Sequence, residues 1–306
     1  MSKTILLTGG SGLIGTPLTR LLLQQGHTIH HLSRNPQIHG NPRLKVFGWD
    51  VNKNEIDENC VKGVDIIIHL AGEGIAEKRW TDNRKQNIIE SRTNSIRLVF
   101  DLLKKQPTHL VKTLISASAI GFYGDRNNEL LNEASSAGKD FLAQSCIAWE
   151  AAVDEGADLG LRIVKFRTGI VLAENGGALP EMAKPIKAGF GAALSDGKQW
   201  TSWIHLSDVL KLYAFAIEKE TMKGVYNMVA PNPVTNNELT LSIAKALNKK
   251  IWMPNVPAFA LKLLMGEMSI LVLGSTKVSS EKIQAEGFEF DYVQVDDALK
   301  NIYNET

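Results

Sequence analysis

The chain has 306 residues, 44% of them hydrophobic and 22% charged, the composition of a soluble globular protein with one large or two modest domains. A net charge of +1, with no basic stripe carrying interleaved aromatics, argues against nucleic acid as a partner. Cys60 and Cys146 form neither a disulfide framework nor a metal-ligand pattern, which suits a reducing, cytoplasmic setting and no metal.

No basic leader precedes the first apolar run, Thr4–Leu7, which reads as a strand. Leu13–Gln25 follows with leucines at 13, 18, 21 and 22, a helical face. Ile29–Leu32 and Leu44–Phe47 read as the second and third strands, and Val64–Gly72 ("VDIIIHLAG") as a fourth, buried on both faces. A long charged helix over Trp80–Lys105 would either pair across a homodimer or cover the sheet within one chain. Lys112–Ala119 is a fifth strand, Asp140–Glu155 a helix and Arg162–Leu172 a sixth strand. Strand–helix alternation of this kind predicts an α/β fold with a doubly wound parallel sheet of Rossmann type.

Between the first strand and helix lies Thr8-Gly9-Gly10-Ser11-Gly12-Leu13-Ile14-Gly15, with glycines at 9, 12 and 15. The first permits a tight turn, the second lets backbone approach a pyrophosphate, and the third lets helix pack on strand. The N–H groups opening the helix would meet the anion. A glycine-rich turn can be a mere connection, but strand before and helix after are the setting in which the motif binds a dinucleotide. Ser33 and Arg34 end the second strand where a carboxylate would hold the ribose 2′-OH of NAD. No Asp or Glu lies between Gly15 and Trp49, so Arg34 favours the 2′-phosphate of NADP(H) over NAD(H), unless it is simply an exposed surface arginine.

After about Val171 glycine and proline become frequent. Ser207–Lys219 is helical, and Thr235 and Glu238 stand at capping-box spacing ahead of another helix. Val256–Gly274 is the most membrane-like stretch, but Lys262 and Glu267 interrupt it below the ~20 residues a span needs. The expected division is an NADP-binding domain over 1–170, joined by a returning element near 200–225, and a smaller substrate-side domain over 171–306.

The glycine spacing, "HLAG" (His69–Gly72) after the fourth strand and "SASAIGFYG" (Ser116–Gly124) after the fifth resemble an extended short-chain dehydrogenase/reductase. More narrowly, "LAGEGIAEKRWTDNRKQNIIESR", "DFLAQSCIAWE", "RTGIVLAENGGALPEM", "WTSWIHLSDV", "NMVAPNPVTNNEL" and "GFEFDY" resemble an atypical epimerase-like, or sugar-nucleotide-epimerase-like, subgroup. That subgroup carries its own small C-terminal domain, here from about Lys249 over 249–306. The resemblance implies NADP(H) held by Gly9, Gly12, Leu13, Ile14, Gly15, Ser33, Arg34 and the segment Leu70, Ala71, Gly72. It also implies hydride transfer assisted by a Ser/Thr, a Tyr and a Lys four residues after the Tyr.

Here the sequence departs: Ala119 falls at the Ser/Thr position, Leu142 at the Tyr and Cys146 at the Lys, the last two aligned from Glu150. No Y-x-x-x-K occurs in the chain. A leucine transfers no proton, and a cysteine supplies no fixed positive charge. Tyr123, Ser118 and His205 are the remaining catalytic candidates, each with a structural alternative as a packing tyrosine, a strand-end serine and a helix-start histidine. Lys78, Arg79 and Trp80 would bind an anionic or ring-bearing substrate, or else be a solvated helix start; Gln199 and Trp203 lie in the segment resembling the family's substrate cleft. Asp208 reads as a helix N-terminal residue. Two functions remain open: an NADP(H)-dependent oxidoreductase or epimerase-like enzyme on a small molecule, and a non-catalytic NADP(H)-binding, redox-sensing protein.

Overall fold

The computed structural model describes residues 2–37 and 40–304. Seven parallel strands form the sheet: β1 Thr4–Thr8, β2 Thr28–Ser33, β3 Leu44–Asp50, β4 Ile66–His69, β5 Thr113–Ala119, β6 Arg162–Thr168 and β7 Gly224–Met228. Their order is β7-β6-β5-β4-β1-β2-β3, and Glu55–Ile56 adds a short antiparallel edge beside β3. The winding reverses between β1 and β4, where such sheets open a crevice at their carboxyl ends. This is the expected Rossmann architecture.

Alternation along the strands divides the core. Ile5 and Leu7 of β1 face one cluster with Ile29, Ile68 and Val164, while Leu6 faces the other with Ile67, Val99 and Leu114. The first cluster is closed by α1 (Gly15–Gln24) through Leu18 and Leu22, and by α5 (Leu206–Glu218) through Val209, Leu212 and Tyr213. The second is closed by α2 (Asp82–Lys105) and α3 (Phe141–Asp154), with Val99, Phe100 and Leu103 meeting Trp149 and Val153. The long α2 thus covers the sheet of its own chain. Thr81 caps it, its side chain accepting the Arg84 N–H.

The apolar run Arg162–Leu172 is two strands rather than one. β6 ends at Thr168, and Ile170–Leu172 leaves the sheet to pair with Trp203–His205. The hinge is Gly169, where a Cβ would meet the Ser202 carbonyl oxygen at 2.6 Å and Val229 Cγ1 at 2.8 Å. The returning element is α5 followed by β7, which pairs with β6.

Beyond the sheet, α4 (Ala178–Lys187), α6 (Asn236–Ala246) and α10 (Val295–Asn304) enclose a third cluster that includes Leu179, Ile186, Leu239, Ile243 and Leu299. Thr235 and Glu238 form a complete capping box at the start of α6. The stretch Val256–Gly274 is broken into α7 (Ala258–Met265), one 3₁₀ turn and α8 (Ile270–Leu273), and among the described residues no helix is long and apolar enough to cross a membrane. The C-terminal segment returns to the sheet: after α9 (Glu281–Ala285), Phe288 stacks edge-on against Phe215 of α5 and against Phe290.

Candidate functional site

The glycine turn sits at the carboxyl end of β1. Gly9 has φ +71°, and a Cβ there would lie 2.9 Å from the Leu70 carbonyl, so the turn presses on the segment leaving β4. Thr8 joins them from the other side, its hydroxyl accepting the N–H groups of Leu70 and Ala71 at 3.1 Å each. A Cβ on Gly15 would strike the Gly9 carbonyl and come within 2.8 Å of Gly10 Cα, which binds helix to turn. Gly12 differs: a Cβ there would meet nothing closer than the Gly9 oxygen at 3.3 Å, and its outer side is open. The N-cap of α1 is Ile14, with no side-chain cap and no acidic residue in the first turn. Backbone N–H groups at such a helix start are suited to an anion. Ser33 ends the neighbouring strand β2 and the exposed Arg34 follows it, with the Ser33 hydroxyl 3.2 Å from the Asn35 carbonyl and amide. The residues present therefore fit the pyrophosphate of a dinucleotide.

From Gly72 the site continues into a cavity of about 510 Å³. A Cβ on Gly72 would touch the Arg92 side chain at 3.0 Å, and Arg92, reaching over from α2, lines the cavity. Its guanidinium stacks 5.1 Å from the Trp149 ring and donates to the carbonyls of Ile88 (2.8 Å) and Glu73 (2.9 Å). Burial pushes Arg92 down to about 10, which leaves it charged at neutral pH. Ala119, Leu142 and Cys146 share the same wall. Burial and the nearby Glu150 push the Cys146 thiol up to about 12, so it is neither a thiolate nor a cation.

The three catalytic candidates lie elsewhere. Tyr123 is fully buried, and its hydroxyl donates to Asn227 Oδ1 at 2.7 Å while accepting from Arg167 Nη1 at 3.1 Å. Ser118 donates to Glu150 Oε1 at 2.7 Å. Glu150 in turn takes a two-pronged contact from Arg167, Nε to Oε1 at 2.8 Å and Nη2 to Oε2 at 2.9 Å. Asn227 closes the network, donating to the Ser279 carbonyl at 3.1 Å and, through its backbone N–H, to Glu133 at 2.8 Å. Tyr123 and Ser118 thus meet in one buried network behind the cavity, and neither lines it. His205 is the N-cap of α5: its Nδ1 accepts the Ser207 N–H at 3.1 Å and its ring stacks on Tyr292 at 4.1 Å. Burial pushes His205 down to about 4, and it too is absent from the cavity wall. Asp208, in the first turn of α5, accepts the N–H groups of Asp291 (2.9 Å) and Tyr292 (3.1 Å), clamping the C-terminal segment.

The expected substrate residues are dispersed. Arg79 donates to the Leu264 carbonyl at 2.9 Å, Trp80 donates to Ile75 at 2.8 Å and packs on Phe141, and Lys78 is exposed; of this loop Ile75 reaches the cavity. Gln199 is buried and donates to the carbonyls of Leu194 and Val272, both at 3.1 Å. Trp203 is wholly buried with its indole N–H on Asn232, whereas its neighbour Trp200 lines the cavity. Arg92, Trp149 and Arg167 were not singled out in the sequence. Arg92 lies in the run "NIIESR", where a helix drawn against "LAG" would have pointed it at the site.

A family model described as the NAD dependent epimerase/dehydratase family matches residues 5–228, and a domain of unknown function, DUF1731, matches 256–302. The chain belongs to the NAD-dependent epimerase/dehydratase family. It is 36% identical over 299 residues to the epimerase family protein YfhF of Bacillus subtilis, covering 97% of each chain. Its structure is similar to that of the human epimerase family protein SDR39U1 (isoform 2) with NADPH: TM-score 0.85, 28% identity, 99% of this chain and 100% of that one. It is also similar to the nucleoside-diphosphate sugar epimerase of Corynebacterium glutamicum, with TM-score 0.80 and 31% identity, covering 100% of this chain and 59% of that one. In this member of the epimerase/dehydratase family, the positions that the resemblance gives to the Ser/Thr, Tyr and Lys all face the cavity, but they carry Ala119, Leu142 and Cys146.

Proposed function

We propose that the chain binds NADP(H) at the glycine turn and uses it in an oxidoreductase or epimerase-like reaction on a small molecule held in the adjoining cavity. The observation that carries this reading is the open side of Gly12 at an uncapped helix start, with Arg34 at the end of the next strand. The human relative solved with NADPH supports the choice of cofactor. When bound, the nicotinamide supplies or accepts a hydride. Gly9, Gly12, Leu13, Ile14 and Gly15 would hold the pyrophosphate through backbone, Ser33 and Arg34 the 2′-phosphate, and Leu70–Gly72 the face towards the cavity. Arg92 then offers a permanent positive charge to a substrate oxygen, while Tyr123, Ser118 and His205 hold the wall and the helix start in place. The buried free thiols suit a reducing, cytoplasmic compartment. The expected partner is a small molecule, with neither nucleic acid nor membrane required, and a homodimer is open to the solvent faces of the fold.

The missing dyad favours a second reading, a redox sensor that binds NADP(H) without turnover, because Leu142 and the protonated Cys146 move no proton. Single-turnover oxidation of NADPH against a panel of carbonyl compounds separates the two. The cofactor assignment is tested by titrating NADPH and NADH into wild type and Arg34→Ala. Loss of one charge-assisted contact, about 1.5–3 kcal/mol, should weaken NADPH roughly 10- to 150-fold and leave NADH nearly unchanged. Equal loss for both would remove Arg34 from the phosphate.

A further inference from the structure

We infer that the cavity takes an uncharged, predominantly apolar small molecule with one polar end, and not a nucleoside-diphosphate sugar. The inference rests on the oxidoreductase reading for calling this occupant a substrate; the occupancy itself can be measured without turnover.

The wall is built from three elements that bring apolar side chains to one space. Met182 and Ile186 come from α4, Leu239 and Ile243 from α6, and Leu271 and Val272 from α8. At about 510 Å³ the space suits a drug-sized molecule, and such sites are typically apolar with a few placed polar groups. Here those groups gather at the sheet edge. Arg92 lies there, together with Thr168 and with Trp149, whose buried indole N–H has no partner among the described residues.

The charges decide against a diphosphate. Among the described residues lining the cavity Arg92 is the one cation, against the carboxylates of Asp125, Asp140 and Glu181, the last exposed and paired with Lys184. Two of its guanidinium nitrogens already serve the Ile88 and Glu73 carbonyls, which leaves little of the fork that binds phosphate in two-pronged fashion. Asp140 is fixed in the wall as the N-cap of α3, accepting the Ala143 N–H at 2.9 Å, and Asp125 is held by the Asn127 N–H at 3.2 Å. Neither carboxylate can easily swing away from an incoming anion. A neighbouring polar recess of about 250 Å³ offers no better seat, since its Lys198 is matched by Asp125 and Asp196. A diphosphate brought in would exchange water for two fixed like charges and one half-committed arginine. An uncharged apolar body meets no such cost.

The test uses full-length protein, with and without saturating NADPH. The probe is the uncharged fluorophore N-phenyl-1-naphthylamine, with UDP-glucose and UDP-N-acetylglucosamine titrated separately by calorimetry. Saturable micromolar binding of the fluorophore is expected, with no binding heat from either nucleotide sugar up to millimolar concentration. Met182→Glu and Leu271→Glu, both at partly exposed positions, should weaken the fluorophore at least tenfold without changing NADPH affinity. Leu263→Ser, on the exposed face of α7, should leave it unchanged. Micromolar binding of a nucleotide sugar that displaces the fluorophore would overturn the inference. So would fluorophore binding that ignores both cavity variants or is abolished by Leu263→Ser. Failure of NADPH to bind, read from its own fluorescence, would instead overturn the cofactor reading and leave the cavity result standing.

Discussion

Gly12 and Gly15 stand three residues apart in one turn, yet they should fail in opposite ways when enlarged. At Gly12 a Cβ would meet the Gly9 oxygen at 3.3 Å and nothing nearer, and its φ is not in the left-handed region. Gly12→Val should therefore cost the free protein about 1 kcal/mol or less, the strain of one tight backbone contact. The added methyls would occupy the space where a pyrophosphate approaches the backbone. NADPH at a hundred times its Kd stabilises a protein by about 2.7 kcal/mol. For a chain of this size that is a melting-temperature rise of roughly 4 °C. The valine variant should melt close to wild type alone and show none of that rise. At Gly15 the Cβ would run into the Gly9 carbonyl and sit 2.8 Å from Gly10 Cα, both backbone. Gly15→Ala should destabilise the free protein by about 1–3 kcal/mol as an overpacked contact. Thermal melts of both variants with and without NADPH measure all four quantities. A full NADPH shift in a well-folded Gly12→Val would show that the dinucleotide is not held at this turn.

Two further outcomes follow from the buried groups. Tyr123→Phe removes a hydroxyl that Asn227 and Arg167 both use, so urea unfolding should show a loss of about 1–3 kcal/mol, with NADPH affinity kept; unchanged stability would mean the network does not depend on it. His69 and His205 are both held down to about 4 by burial, against about 6.5 in an unfolded chain. As pH falls below 6.5 the unfolded state takes up protons that the fold refuses, so stability is flat above about pH 7 and declines towards pH 4, by up to roughly 3 kcal/mol per histidine. Equal unfolding free energies at pH 7.5 and 5 would refute this assignment.

The sheet was legible because its signals are local. Val64–Gly72 is a continuous apolar run that β4 buries on both faces, and the capping box at Thr235 and Glu238 forms as spaced. The break in Arg162–Leu172 was not legible, because it depends on how closely Ser202 and Val229 approach Gly169 from more than 30 residues away. The backbone form of the glycine turn could be read for the same reason as the strands: its three glycines lie within eight consecutive residues. The cavity could not. Arg92, Leu142, Ile186, Ile243 and Val272 come from five separated segments, and no spacing in the chain records that they converge. Tyr123 shows the converse limit. Its position after β5 is the edge where ligands bind, but the direction of its ring is set by Asn227, 104 residues away.

Around α3 the charged groups are the Glu150–Arg167 pair and Arg92, and no Tyr–Lys pair stands among them. A lysine at the position of Cys146 would bring an ammonium into a wall shared with Leu142 and Ala119, and burying it there would need a partner. Instead the wall is apolar, and the charged groups stand on either side of it. Arg167 and Glu150 neutralise each other behind it, with Ser118 and Tyr123 satisfying their remaining valences. Arg92 reaches the cavity from a different helix, stacked on Trp149, which occupies the turn of α3 after Cys146. A cation anchored by carbonyls and an aromatic face is less mobile than a lysine and does not titrate near neutrality. With Arg92 held at about 10 and Cys146 at about 12, neither group changes charge between pH 6 and 8. The wall at Ala119, Leu142 and Cys146 thus carries no charge of its own, and the fixed charges stand beside it. On the oxidoreductase reading, a proton consumed or released in this cavity passes through water, a lining hydroxyl or carboxylate, or the substrate itself.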